Sequence, residues 1–393
     1  MYSLPKVMLV GGPDIDARLE IMDQLKGNFD ICALGSHPAL HDTFAARGFD
    51  YTTYHLSRRV NPFSDLYSVA QLVSIFRRIK PQIVHAFDTE PGIWGCLSAR
   101  LAGVPVVIGT ITGMGSLYGS RNLRTRLIWN IYQTLQKITC HFSDLTIFQN
   151  HVDARQFITT GVVSDRKIVV IPGSGVATDK FDPARIPDAE RGRLRDDLGI
   201  LSGEIVVTMV SRLIRSKGVL DFVSASQQIS ALVPGVRFLL VGPQDYESVD
   251  RISDVELNQL NQAVIWPGSR KDIPVVLAIS DIFVLPSAYR EGIPRVLLEA
   301  ASMNLPIVTT DSPGCNEVVI DGENGFYVPV HDPVALSQAI LQLLEKPDLR
   351  EKFGRMSRRR AVEDFDLSIV AAQTRSVYWQ LLSRSASQSV MNN

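Results

Sequence analysis

The stretch Ile282-Phe283-Val284-Leu285-Pro286-Ser287-Ala288-Tyr289-Arg290-Glu291-Gly292-Ile293-Pro294-Arg295-Val296-Leu297-Leu298-Glu299-Ala300-Ala301 decides the fold. Ile282–Leu285 is a continuous apolar run, which reads as a strand buried on both faces. Pro286 ends it, and Pro286–Arg290 reads as a loop. Pro294 suits the first position of a helix, where its missing N–H costs nothing. Leu297, Leu298, Ala300 and Ala301 continue that helix. A strand, a loop and a helix in this order form the unit of a parallel α/β sheet.

Working outward, the same unit recurs. Upstream, apolar runs occur at Lys6–Val10, Phe29–Leu34, Ile83–Phe87, Pro105–Ile111, Leu145–Gln149 and Ile168–Ile171. A second series comprises Glu204–Val210, Val236–Val241, Ala263–Trp266, Ile282–Leu285, Pro306–Thr310 and Phe326–Val328. Between them lies Ser174–Arg193, with Pro183 and Pro187, which reads as a linker. Two doubly wound α/β domains are expected, residues 1–175 and 190–366, with ligands beyond the carboxyl ends of the strands. Leu367–Leu382 reads as a helix and Ser383–Asn393 as a frayed end. The helical segment 367–393 is expected to pack back on the first domain.

Composition narrows the class. The chain has 393 residues, 45% hydrophobic and 21% charged, as in ordinary globular proteins. Forty basic and 41 acidic residues leave a net charge of −1, which disfavours a nucleic-acid binder. Cys32, Cys96, Cys140 and Cys315 form no CxxC pair, so neither a cysteine zinc site nor a redox dithiol is expected. Isolated cysteines fit a reducing compartment. The N-terminus shows no signal-peptide core, and no apolar run is long enough to span a membrane. A cytoplasmic enzyme follows, with attachment to the inner membrane face open.

Chemistry concentrates at three places. Glu291 lies in the loop before the helix and Glu299 inside it. Free N–H groups at a helix start favour an anion such as a diphosphate, and a carboxylate beside it accepts hydrogen bonds from sugar hydroxyls. The same pattern also suits a helix whose acids simply offset its dipole. Arg212 and Lys217, in Ser211–Gly218 after a strand, are placed to hold phosphate oxygens, or to be solvated loop cations. Gly11-Gly12-Pro13 follows the first strand and allows close approach to the backbone, but Pro13 and Asp14 break the dinucleotide pattern GxGxxG. Asp14-Ile15-Asp16 and Asp364-Phe365-Asp366 match a DxD metal motif, yet both sit at helix boundaries. Neither GxSxG, HExxH nor GxxxxGK[ST] occurs, against hydrolase, zincin and P-loop readings.

These residues resemble glycosyltransferase family 4. Glu291–Glu299 matches the E-x7-E motif of retaining glycosyltransferases. The resemblance extends to Ser211–Gly218, Pro172–Val176, Pro306–Thr310, Asp311–Glu317 and Asp321–Gly325, nearly the whole chain. It implies the GT-B fold, two Rossmann-like domains with a donor cleft between them. It also implies that Glu299 binds the ribose of a nucleotide sugar and Glu291 contacts the donor sugar. Arg212 and Lys217 would neutralise the leaving diphosphate in place of a metal, so no cofactor is expected. Gly292 and Ile293 would frame sugar and phosphates, Gly12 would close over the diphosphate, and Gly268 would lie near the nucleobase. Where many members carry His after the strand Pro105–Ile111, this chain has Thr112, as in a capsule and exopolysaccharide branch with Thr/Ser-Gly-Leu-Gly.

The resemblance implies transfer from a nucleotide diphosphate sugar, most naturally a UDP-sugar, to a hydroxyl of a polyprenyl-diphosphate-linked saccharide. Segment 113–137, with Arg121, Arg124, Arg126 and Lys137 among apolar residues, suits an anionic membrane surface or the core of the first domain. Two rivals remain. A sugar-nucleotide 2-epimerase would need a carboxylate or His placed for proton transfer and would use no acceptor. A non-catalytic nucleotide-sugar binder would show binding without turnover.

Overall fold

The computed structural model describes residues 3–57, 62–114, 123–246, 248 and 250–391, with the side chains at 62, 123–129, 259, 261–262 and 388–391 not among those described. The chain forms two compact units. One comprises Met1–Ser174 with Leu367–Asn393, the other Gly175–Asp366.

The first unit holds β1 (Lys6–Val10), β2 (Asp30–Gly35), β3 (Asp50–Thr53), β4 (Ile83–Phe87), β5 (Val106–Ile111), β6 (Leu145–Phe148) and β7 (Ile168–Val170). They form one parallel sheet in the order β3-β2-β1-β4-β5-β6-β7. Successive side chains of a strand point to opposite faces. Val7 and Leu9 enter a core with Phe44, Ile108 and, from the C-terminal helix Leu367–Met391, Val370, Val377, Tyr378 and Leu381. Met8 and Val10 enter another with Phe76, Val84 and Val107. Both faces are covered, which is why the strand runs are continuously apolar.

The second unit holds β8 (Ile205–Val210), β9 (Val236–Val241), β10 (Ile282–Leu285), β11 (Ile307–Thr310) and β12 (Gly325–Val328), parallel in the order β12-β11-β10-β8-β9. In each sheet the strand order reverses once, between β1 and β4 and between β8 and β10. At such a switch the loops leave toward opposite faces and open a crevice.

Four features depart from the sequence reading. β3, Asp50-Tyr51-Thr52-Thr53, is an edge strand too polar to stand out. Ala263–Trp266 is not a strand: Ala263 closes the helix Asp254–Ala263, and Ile265 makes only an isolated bridge to Leu239. Segment 175–193 belongs to the second unit, because Val176 pairs with Asp366, Phe181 is buried and Asp188–Asp197 is a helix. The C-terminal helix continues to Met391 instead of fraying after Leu382.

Candidate active site

In the second unit the loops after β8 and β10 flank the switch. After β8 the chain crosses Ser211–Ile214, makes a 3-10 turn at Arg215–Lys217 and enters the helix Val219–Ser230 through Gly218. Gly218 has φ +78°, and a Cβ there would lie 2.2 Å from the Pro286 carbonyl oxygen. Only glycine permits both the backbone and the contact. Ser216 O accepts hydrogen bonds from the N–H groups of Ala288 and Tyr289, at 2.8 and 3.0 Å. The two loops are thus fastened backbone to backbone.

That fastening sets Lys217 against Glu291. Lys217 Nζ lies 2.5 Å from Glu291 Oε1, with side chains 11% and 16% exposed. Ser287 Oγ reaches the same oxygen at 3.5 Å, and Lys217 Nζ sits 5.2 Å from the centre of the Tyr289 ring. On the far side, Gly314 (φ +87°) would drive a Cβ into the Gly292 carbonyl oxygen, so this loop packs directly on the Glu291–Gly292 backbone. Ile293 is buried beneath. Pro294 is the N-cap and not the first helical residue, with the helix spanning Arg295–Ser302. Glu299, one turn in, is 8% exposed and accepts from Arg295 Nε at 3.0 Å.

The remaining candidates are placed differently. Arg212 is half exposed and turns to Asp245, Nη1 to Oδ2 2.7 Å, rather than to the Lys217–Glu291 pair. It is held near the switch by Gly242, whose missing Cβ admits the Ser211 carbonyl oxygen. Gly242 N–H donates to Gly268 O at 2.9 Å, and Gly268 has φ +81°, so Gly268 adjoins the same strand ends. The arrangement is a cation, two carboxylates, a hydroxyl and a helix N-terminus at one switch, suited to a polyhydroxylated anion.

Gly12 and Thr112 belong to the first unit, at the carboxyl ends of β1 and β5. A Cβ at Gly12 would make only ordinary contacts with Asp14, Pro91 and Leu56, in contrast to Gly11, where it would strike Ile15 at 2.5 Å. Packing within the unit crowds position 11 against the Ile15 side chain and leaves ordinary contact distances at position 12. Thr112 Oγ1 donates to Asp88 Oδ1 at 2.7 Å.

The family model for Glycosyl transferases group 1 matches residues 190–360, and that for Glycosyl transferase 4-like matches 9–150. A UDP-Gal:alpha-D-GlcNAc-diphosphoundecaprenol alpha-1,3-galactosyltransferase of Escherichia coli is 30% identical over 298 residues, 74% of this chain and 73% of that protein. The chain belongs to glycosyltransferase family 4. An N,N'-diacetylbacillosaminyl-diphospho-undecaprenol alpha-1,3-N-acetylgalactosaminyltransferase of Campylobacter jejuni is 29% identical over 333 residues, 84% of this chain and 86% of that one. Among solved structures, a glycosyltransferase from Rickettsia africae superposes with TM-score 0.80 at 20% identity, covering 97% of this chain and 99% of that one. HepE of Anabaena in complex with UDP-glucose gives 0.79 at 19%, covering 96% and 100%. These likenesses show that the glycosyltransferase has the GT-B fold.

Sequence reasoning about this glycosyltransferase missed Ser287, Arg295, Asp245 and Asp88 as partners. Arg295 stands four residues before Glu299, a helix pairing visible in principle; the others come from distant loops and left no signal. His85, in β4 of the first unit, is fully enclosed: Nδ1 meets Tyr378 OH at 2.7 Å and Nε2 meets Thr110 Oγ1 at 2.6 Å. Burial, with Arg18 nearby, lowers its pKa to about 3, so the ring is neutral. Burial likewise pushes the thiols of Cys32, Cys96 and Cys315 up to about 12, which leaves them inert. In the second DxD stretch, Asp366 accepts from Thr178 Oγ1. Of segment 113–137, residues 115–122 lie outside the described residues, as do the side chains of Arg124 and Arg126. No helix among the described residues is long and apolar enough to cross a membrane.

Proposed function

We propose that this glycosyltransferase is a retaining enzyme that moves a sugar from a nucleotide diphosphate donor, a UDP-sugar, to a hydroxyl of a polyprenyl-diphosphate-linked saccharide. The observation that carries the reading is the Lys217–Glu291 pair, fixed at the switch of the second sheet in the loop that leads into the helix carrying the buried Glu299. The relatives named for undecaprenol-diphosphate-linked acceptors and for UDP-Gal support the substrate class.

In this reading Glu299 receives the ribose hydroxyls and Glu291 the donor sugar, while Gly268 borders the base. Gly12 gives the diphosphate room over its backbone. The C1–O bond to the diphosphate breaks with its electron pair going to phosphate. The acceptor oxygen attacks C1 from the same face, and its proton passes to the leaving phosphate oxygen. Lys217, Arg212 and the helix N-terminus stabilise the charge that develops there, and the rest is positioning. The enzyme works without a metal, so EDTA leaves turnover unchanged.

The test is a panel of UDP-sugars with a polyprenyl-diphosphate-linked N-acetylhexosamine, the product read by mass spectrometry and its anomer by NMR. Lys217→Ala and Glu299→Ala should each lower kcat/KM by roughly 100-fold or more. Wild-type turnover in either variant, or an inverted anomer, sinks the assignment.

Contact with the membrane through 113–137 is part of the same reading. On the helix Leu123–Phe142, Ile131, Ile138 and Phe142 are exposed at seven- and four-residue steps, one face of the helix. Flotation on anionic vesicles should weaken when Arg121, Arg124 and Arg126 are replaced by Ala; equal flotation refutes the contact.

A further inference from the structure

Thr112 directly follows β5, and the structure gives its hydroxyl a definite polarity. A threonine has a single O–H, and here that proton is committed to Asp88 Oδ1 at 2.7 Å. The oxygen therefore offers only lone pairs to anything that approaches it. It can receive a hydrogen bond from a ligand hydroxyl, and it cannot give one to a phosphate oxygen or a carbonyl.

Asp88 is built to hold this state. It follows β4 with φ +68°, a left-handed conformation that non-glycine residues rarely adopt. Arg18 Nη2 lies 3.9 Å from the same Oδ1, and the Arg18 guanidinium is itself fixed over the Phe87 ring, 4.6 Å from its centre, and bonded to Ser174 Oγ. Immediately before the two residues, His85 Nε2 and Thr110 Oγ1 tie β4 to β5. The pair lies beyond the carboxyl ends of β4 and β5, beside the β1–β4 switch. Asp88 remains 32% exposed and Thr112 is half-buried, so a ligand can reach them.

We propose that Asp88 is a positioning residue: by taking the Thr112 proton it makes Thr112 the acceptor for a substrate sugar hydroxyl. The assignment rests on the transfer reading above and names the sugar, not the diphosphate, as the group at this position. That sugar belongs either to the nucleotide donor or to the lipid-linked acceptor.

A double-mutant cycle on Asp88→Ala and Thr112→Val, with Thr112→Ser and Asp88→Asn as conservative variants, decides it. Affinity for UDP and for UDP-glucose, UDP-galactose, UDP-GlcNAc and UDP-GalNAc is measured by calorimetry, and KM and kcat with the polyprenyl-diphosphate-linked N-acetylhexosamine. The expected result is about a tenfold loss in each single variant, no further loss in the double, and recovery in Thr112→Ser and, in part, in Asp88→Asn. UDP affinity stays at the wild-type value. A loss seen with UDP-sugars places the donor sugar there; a loss confined to the KM of the lipid-linked substrate places the acceptor. Additive losses, or equal losses for UDP itself, overturn the proposal. A wild-type protein that binds UDP-sugars with this coupling but transfers nothing refutes the transfer reading and not this one.

Discussion

At the scale of single residues, the site depends on three glycines, Gly218, Gly242 and Gly314, that admit backbone where a side chain would stand. Gly218 is the most consequential, because the residue before it is Lys217. Gly218→Ala meets both an unfavourable φ and a carbonyl oxygen 2.2 Å from the new Cβ. The β10 loop must retreat, and Lys217 moves away from Glu291. The expected cost is about 1–3 kcal/mol of stability in the second unit, with a loss of turnover larger than that destabilisation explains. Urea unfolding and kcat together check it. His85 supplies a second prediction. Its folded pKa of about 3 lies below the ordinary value near 6.5, so between those pH values the unfolded chain binds a proton the native state refuses. The contribution is fully present above about pH 6.5 and falls, by up to roughly 1.4 kcal/mol per pH unit, as pH drops toward 3. His85→Gln keeps polar partners for Tyr378 and Thr110 and should flatten that slope in acid-titrated unfolding.

At the scale of elements, the helix that presents Glu299 is anchored from behind. Arg358, on the helix Pro347–Asp364, donates to the carbonyls of Thr178, Phe181 and Ser302 and to Ser302 Oγ, at 2.7–2.9 Å. In the sequence, the run Arg350–Arg360 looks like a solvated basic face. Instead Arg350 caps Leu343 and Leu344, and Arg360 caps Glu317 and Val318. Arg358→Ala leaves several buried acceptors without their donor and should cost about 2–4 kcal/mol, read by thermal unfolding. Arg355→Ala, whose side chain only meets exposed Glu351, should change little. The contrast shows what local sequence reveals. Strands buried on both faces are legible because nearly every residue is apolar, with Lys6, His85 and Arg237 the exceptions, and Lys6–Val10, Ile83–Phe87, Val236–Val241 and Ile282–Leu285 coincide with their runs to the residue. A guanidinium that joins a loop to the end of a distant helix, or the Arg212–Asp245 and Lys217–Glu291 pairs, depends on tertiary closure and has no one-dimensional signature. The E-x7-E spacing marked where the acids are but not what each one touches.

At the scale of the whole molecule, the chain passes from the second unit back to the first, and Leu367–Met391 completes a core begun 360 residues earlier. Val370, Val377, Tyr378 and Leu381 are all buried there, and Tyr378 also satisfies His85. At about 1.5–3 kcal/mol per buried apolar side chain, these four contribute on the order of 6–12 kcal/mol, an upper bound against an extended chain. That is comparable to the whole stability of an ordinary domain, about 5–15 kcal/mol. A chain ending at Asp366 should therefore lose the first unit cooperatively, while Gly175–Asp366 keeps the separate core around β8 and β10. Hydrogen exchange resolved by peptide checks this directly. β1 and β4 should exchange as unfolded segments, and β8 and β10 should stay protected. Protection of β1 equal to that in the full chain would show that the C-terminal helix is an accessory to the first core and not part of it.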